Sequence, residues 1–170
     1  LFRSVLVLAF SSVHRHYQKL ANQLSLEGIR QTAPAITRNR VIMLISGVHQ
    51  GTLTALRFVR TLSSDITAVH VSIDPDEADK VKAKWNKWGD GIRLVTLNSP
   101  YRLLIEPLMD YLDKLESVIA PGEIITLVVP HFIPQVSWTK ALHMRTSETL
   151  RNVLLNRSNI IIIEVPYQVK

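Results

Sequence analysis

The sequence predicts an α/β fold: a five-stranded parallel sheet in the order 3-2-1-4-5, with helices on both faces and an N-terminal helix ahead of it. Three observations carry that reading. Five short β-rich apolar runs recur along the chain, helical patterns separate them, and each run is nearly continuously apolar instead of alternating. A strand covered on both faces needs continuous hydrophobicity, which is the parallel-sheet case. Strands joined through helices take right-handed crossovers, and these send helices to both faces.

The elements follow in order. Residues 1–27 read as a leader helix, in which thirteen mostly apolar residues, LFRSVLVLAFSSV, lead into the basic amphipathic stretch HRHYQKLANQLSL. A membrane-spanning helix needs roughly 20 apolar residues, so this stretch does not cross a bilayer alone. No small-residue cleavage site follows it, which argues against a signal peptide. Two readings stay open: the cytosolic end of a membrane helix with its positive-inside flank, or an amphipathic helix packed on the domain. Residues 28–39, GIRQTAPAITRN, have no periodicity and read as a linker. The domain proper then runs over 40–170.

Its strands are VIMLIS (41–46), ITAVHVSI (66–73), IRLVTL (92–97), IITLVV (124–129) and NIIIIEV (159–165). A helix fits roughly 51–63. Asp74-Pro75-Asp76-Glu77 supplies an N-cap, a proline at the first helical position and acids in the first turn. Ala78, Val81, Trp85 and Trp88 then share one face, and Gly89 ends that helix. Ser99-Pro100 opens the next, with Tyr101, Leu104, Ile105, Leu108, Tyr111, Leu112 and Leu115 at helical spacing, and Pro121-Gly122 stops it. A last helix fits 139–156.

Charge and composition narrow the function. Arg3, Arg15, Lys19, Arg30, Arg38 and Arg40 against Glu27 give residues 1–40 a net +5 of the formal +6. The basic excess therefore lies in the leader, not on a folded surface that would track phosphates, and no nucleic-acid partner is expected. Absence of cysteine removes disulfides, thiolate catalysis and cysteine-ligated metal. The chain lacks a G-x-S-x-G elbow, an H-E-x-x-H pair and paired carboxylates at strand ends, so no enzyme is expected and no catalytic residue is assigned. No metal site is expected either. His14 and His16 stand two apart on a helix and face apart. Asp74, Asp76 and Asp79 lack the glycine and terminal glutamate of a calcium loop. His70, inside an apolar strand, reads as a hydrogen-bonded core residue.

Open parallel sheets bind ligands outside the carboxyl ends of the strands, where strand order reverses. For this order the point lies between the first and fourth strands. The loops there are Ser46-Gly47-Val48-His49-Gln50-Gly51-Thr52 and Pro130-His131-Phe132-Ile133-Pro134. The first offers backbone N–H groups and a helix N-terminus to an anion, although it is neither a Walker A loop nor a dinucleotide fingerprint. The same glycines equally serve a plain strand-to-helix turn. His131 and Phe132 are candidates for stacking on an adenine. Arg102, and Arg145 with Thr146 and Ser147, are the candidate phosphate anchors, each with the alternative of a solvated surface charge.

The ordering of VIMLISGVHQGTLTALRFVRTL, ITAVHVSID, IRLVTLNSPYRLLIEPLMDYL and TSETLRNVLLNRSNIIIIEVP resembles the universal stress protein fold over residues 40–166. Together with SVHRHYQKLANQLSL, SIDPDEADKVKAKWNKWG and NSPYRLLIEPL, the chain resembles the C-terminal cytosolic domain of amino acid permease-like transporters of the amino acid–polyamine–organocation superfamily, in particular KimA-type potassium importers. ATP-binding stress proteins carry an Asp at the end of the first strand, where Ser46 stands here. They also carry a G-x-x-G-x9-G-S/T run before the last strand, whereas residues 123–170 contain no glycine and Arg145-Thr146-Ser147 occupies the place of the final Gly-Ser. The resemblance thus implies a regulatory domain that binds cyclic di-AMP in preference to ATP and pairs into a homodimer. It also implies a membrane transport domain in the same polypeptide and a place at the cytoplasmic face of the membrane. Two other readings compete: a stand-alone ATP- or AMP-binding stress protein, and a ligand-free dimerisation module of an amino acid permease.

Overall fold

The computed structural model describes residues 2–25, 35–99, 105–133, 149–155 and 157–168. Two compact units divide the chain, Leu1–Pro34 and Ala35–Lys170. In the first, α1 runs unbroken over Phe2–Leu24. No helix among the described residues is long and apolar enough to cross a membrane.

The second unit is an α/β sandwich. Its strands are β1 (Arg38–Ile45), β2 (Ile66–Ser72), β3 (Arg93–Asn98), β4 (Glu123–Ile133) and β5 (Ile160–Gln168). Its helices are α2 (Gln50–Leu62), α3 (Pro75–Trp88) and α4 (Ile105–Glu116), and residues 149–154 are also helical. The sheet order is β3-β2-β1-β4-β5, as expected, and every pairing is parallel.

Strand alternation divides the core into two layers. Val41, Met43 and Ile45 of β1 pack on one face with Ala55, Leu56 and Val59 of α2 and Val81 and Trp85 of α3. Ile42 and Leu44 point to the other face, against Leu108 and Leu112 of α4 and Leu150 and Leu154. The period of two along each strand thus feeds two separate apolar layers, which is why the runs are apolar throughout.

Local chemistry sets the boundaries. Asp74 caps α3, its carboxylate accepting from the Asp76 N–H at 3.0 Å, with Pro75 in the first turn. These aspartates are cap and first-turn residues, and no group of three potential metal ligands stands together among the described residues. β1 begins at Arg38, inside the segment read as linker, because Arg38-Asn39-Arg40 pairs with Glu123-Ile124-Ile125 of β4. Ion pairs hold this polar end: Arg38 to Asp65 at 2.6 Å and Arg40 to Glu123 at 3.2 Å.

The largest departure from expectation lies in β4. The stretch Pro130–Ile133, expected as a loop, is strand, paired with Val165–Gln168 of β5. β1 and β4 part after the pair Met43↔Val128, so beyond that point β5 is the one strand paired with β4 among the described residues. A proline, which cannot donate to a ladder, is tolerated where a strand has an open side. β4 and β5 therefore continue as a two-stranded ribbon past the end of β1.

Candidate functional site

Strand order sets the reversal point at the carboxyl ends of β1 and β4. From Ile45 the chain turns into α2 on one face of the sheet, whereas the helical residues 149–154 that precede β5 pack on the other. Neighbouring strands whose connections leave to opposite faces open a gap between them. The pairing of β1 with β4 ends at Met43↔Val128, three residues before Ser46 on one strand and His131 on the other.

His49 is the N-cap of α2. Its extended backbone (φ −147°, ψ 177°) brings Nδ1 to within 3.4 Å of the Thr52 N–H, which it accepts. An imidazole thus fills the place that Ser, Thr, Asp or Asn usually takes. Because Nδ1 accepts, the ring proton resides on Nε2, and the exposed side chain offers a donor there. Thr52, only 1% exposed, donates its hydroxyl to the Gly47 carbonyl at 2.7 Å. Two of the candidate ligand groups therefore serve to close the turn.

The two glycines of this loop differ. A Cβ on Gly47 would meet nothing within 4 Å, so open space fronts the residue. A Cβ on Gly51 would lie 2.7 Å from Cγ and Cδ1 of Tyr167. Tyr167 stands on the ribbon, pairs with Phe132 in register, and lays its ring on the first turn of α2. Its hydroxyl donates to Gln50 Oε1 at 3.1 Å, and its ring centroid is 6.3 Å from that of His49 at an interplanar angle of 36°. Sequence reasoning missed Tyr167. Its partners Gln50 and Gly51 are more than a hundred residues away in the chain, and no local pattern marks the pairing.

Behind the crevice, His70 is 3% exposed and approaches the Ile45 carbonyl through Nδ1 at 3.0 Å. A carbonyl only accepts, so Nδ1 carries the proton and His70 is a hydrogen-bonded core residue, as expected. Its Nε2 has no hydrogen-bond partner among the described residues. Ser72, one step along the same face, donates to the Asp74 carbonyl at 2.6 Å. Of the other candidates, His131 and Phe132 lie on the ribbon by their backbone. Arg102, Arg145, Thr146 and Ser147 lie outside the described residues.

The opposite end of the sheet is structural. There Thr126 donates to Asn39 Oδ1 at 2.7 Å beside the Arg38, Arg40 and Glu123 ion pairs. Arg157 bridges Asp113 and Glu116 of α4, and the Asp113 hydrogen bond leads the effects that raise the guanidinium above its ordinary value.

The family described as the KimA potassium transporter C-terminal domain matches residues 37–167, the span from the start of β1 to Tyr167. The potassium transporter KimA of Bacillus subtilis (strain 168) is 29% identical over 171 residues, an alignment that takes in 100% of this chain and 28% of that protein. The chain thus spans little more than a quarter of its curated relative's length. The match extends over all five strands of the sheet, and the chain belongs to the KimA potassium transporter C-terminal domain family.

Proposed function

We propose that this domain regulates a potassium transporter by binding cyclic di-AMP near a homodimer interface, at the cytoplasmic face of the membrane, and that binding inhibits transport through a membrane domain in the same polypeptide. The observation that supports the reading is the strand-order reversal at the end of β1, with open space in front of Gly47 and the rings of His49 and Tyr167 beside the first turn of α2. A dinucleotide with two phosphates needs N–H donors or cations for its charge and flat surfaces for its adenines. Donors come from the His49 Nε2–H and the loop backbone, and Arg102 and Arg145, with Thr146 and Ser147, are proposed as the phosphate anchors. A two-fold symmetric ligand suits a two-fold interface, because each adenylate half then meets the same residues of one protomer. Inhibition requires that the ligand favour one arrangement of the pair over another, since equal affinity for both shifts nothing.

The test is titration calorimetry of the 170-residue chain with cyclic di-AMP and ATP side by side. The expected result is saturable heat with the cyclic dinucleotide at one ligand per two chains, little with ATP, and weakened binding in Arg145→Glu. No heat with cyclic di-AMP overturns the proposal. Heat with ATP alone would identify a nucleotide binder of the stress-protein kind.

A further inference from the structure

The outer face of α3 has no cover among the described residues, and it combines charge with an aromatic ring. Of the two tryptophans on this helix, Trp85 is 3% exposed and Trp88 is 52% exposed. The core face expected for both therefore ends with Trp85, whose indole N–H donates to the Ile92 carbonyl at 2.7 Å. Trp88 instead lies beside Lys87, whose ammonium stands 5.3 Å from its ring centroid.

Helical spacing groups the rest. At about 3.6 residues per turn, Lys80, Lys84, Lys87 and Trp88 fall within an arc of about 100°, and all four are exposed. Lys82 is off that arc, on the side of β3. One acid, Glu77, shares the arc at its N-terminal end and forms no ion pair. The acid nearest Trp88 in sequence, Asp90, is bound to Arg60. Every ion pair among the described residues is made by an arginine, which leaves Lys80, Lys84 and Lys87 without one. A lysine in the last turn complements the macrodipole without any partner, but only Lys87 stands there. Solvation of the charges leaves the half-exposed indole at the end of the stripe unexplained.

We infer that this face rests on the headgroups of an anionic lipid surface, with Trp88 entering the interface and the three ammonium groups facing the lipid charge. The chemistry favours lipid over an acidic protein. Protein interfaces are depleted of lysine and favour arginine, whose planar fork holds a carboxylate bidentately. α3 carries four lysines and no arginine. A membrane surface attracts lysines as point charges through its anionic lipids, and tryptophan is enriched at the level of the headgroups. Val81 and Trp85 keep the apolar side of α3 in the core, so the helix touches the surface without inserting along its length. The inference rests on the proposed place at a membrane and not on the dinucleotide, so either can fail while the other stands.

The experiment is co-sedimentation of the 170-residue chain with vesicles of phosphatidylcholine, alone or mixed with an equal part of phosphatidylglycerol. Because α1 also carries apolar and basic residues, the comparison is between variants of equal net charge. Lys84→Glu/Lys87→Glu should bind the anionic vesicles at least about tenfold more weakly than Lys82→Glu/Lys114→Glu, whose changes lie off the stripe and on α4. With brominated phosphatidylcholine in the anionic vesicles, the tryptophan emission quenched in the wild type should fall in Trp88→Phe. Urea unfolding matched to the wild type checks that each variant is folded, and should a reversed pair misfold, glutamine at the same positions carries the comparison. Equal binding by the two charge-matched pairs, binding to neutral vesicles as tight as to anionic ones, or unchanged quenching in Trp88→Phe overturns the inference. Binding of a polyglutamate peptide through Lys84 and Lys87, with no binding of vesicles, overturns it too and would assign the face to an acidic protein.

Discussion

The packing of Tyr167 on Gly51 gives a prediction that separates tertiary contact from helix propensity. In Gly51→Ala the new methyl would sit 2.7 Å from two ring carbons of Tyr167 and 3.2 Å from its Cβ. Cγ lies on the axis of ring rotation, so a flip of the ring plane does not relieve its 2.7 Å contact. The side chain must swing about χ1, which breaks the 3.1 Å bond to Gln50. Overpacking of this kind costs about 1–3 kcal/mol. Alanine is intrinsically better than glycine within a helix by about 0.5–1 kcal/mol, which offsets part of that cost. The net expectation is a loss of about 0.5–2 kcal/mol in urea unfolding and a melting temperature lower by a few degrees, at about 2–4 °C per kcal/mol for a chain of this size. The decisive comparison is Gly51→Ala in a Tyr167→Ala background, where the clash is gone and only propensity remains. There the substitution should be neutral or stabilising, with a coupling of about 1–3 kcal/mol across the cycle. Equal destabilisation by Gly51→Ala with and without the Tyr167 ring would refute the reasoning.

Three further outcomes are expected. His49→Ala removes the cap on the Thr52 N–H and should cost about 0.5–1 kcal/mol of stability in denaturant unfolding, whereas His49→Ser, which supplies a standard cap, should restore most of it. Leu112→Ala, at a fully buried position on α4, should cost about 3–5 kcal/mol in the same assay, because deletion leaves a cavity between two packed layers. The Tyr111 phenol is held above its ordinary 10.0 by burial, against the Arg93 charge and assisted by Asp65. Below pH 10.0 it is neutral folded and unfolded alike; above, the unfolded chain loses the proton first. Wild-type stability should therefore decline relative to Tyr111→Phe as the pH rises past 10.0, as measured by urea unfolding at paired pH values, and parallel curves would contradict the assignment.

The fold was legible because its signals are local. Apolar runs such as IITLVV and devices such as Asp74-Pro75 act within a few residues, and strand order followed from connection rules. What escaped depends on partners distant in the chain. Arg38-Asn39-Arg40 has the composition of a loop and becomes strand only because Glu123 and Asp65 neutralise its charges. Pro130 reads as a terminator, yet the strand continues because β1 has already turned away. Ser46, Gly47, His49, Gly51 and Thr52 stand between the carboxyl end of β1 and the first turn of α2. The occupation of His49 and Thr52 in closing the turn, and the ring of Tyr167 across Gly51, required coordinates.

The overhang of β4 and β5 behaves as a cantilever. From Val129↔Glu164 to Ile133↔Gln168 the two strands pair only with each other among the described residues, so this end is expected to open at a lower free energy than the sheet body. Amide protons of residues 131–133 should exchange faster than those of 125–128. Tyr167 rides on that arm, so an opening of the ribbon would uncover the first turn of α2 while the core beneath it stays packed. Any pull transmitted to the chain beyond Ile133 reaches the mouth of the crevice by the same lever.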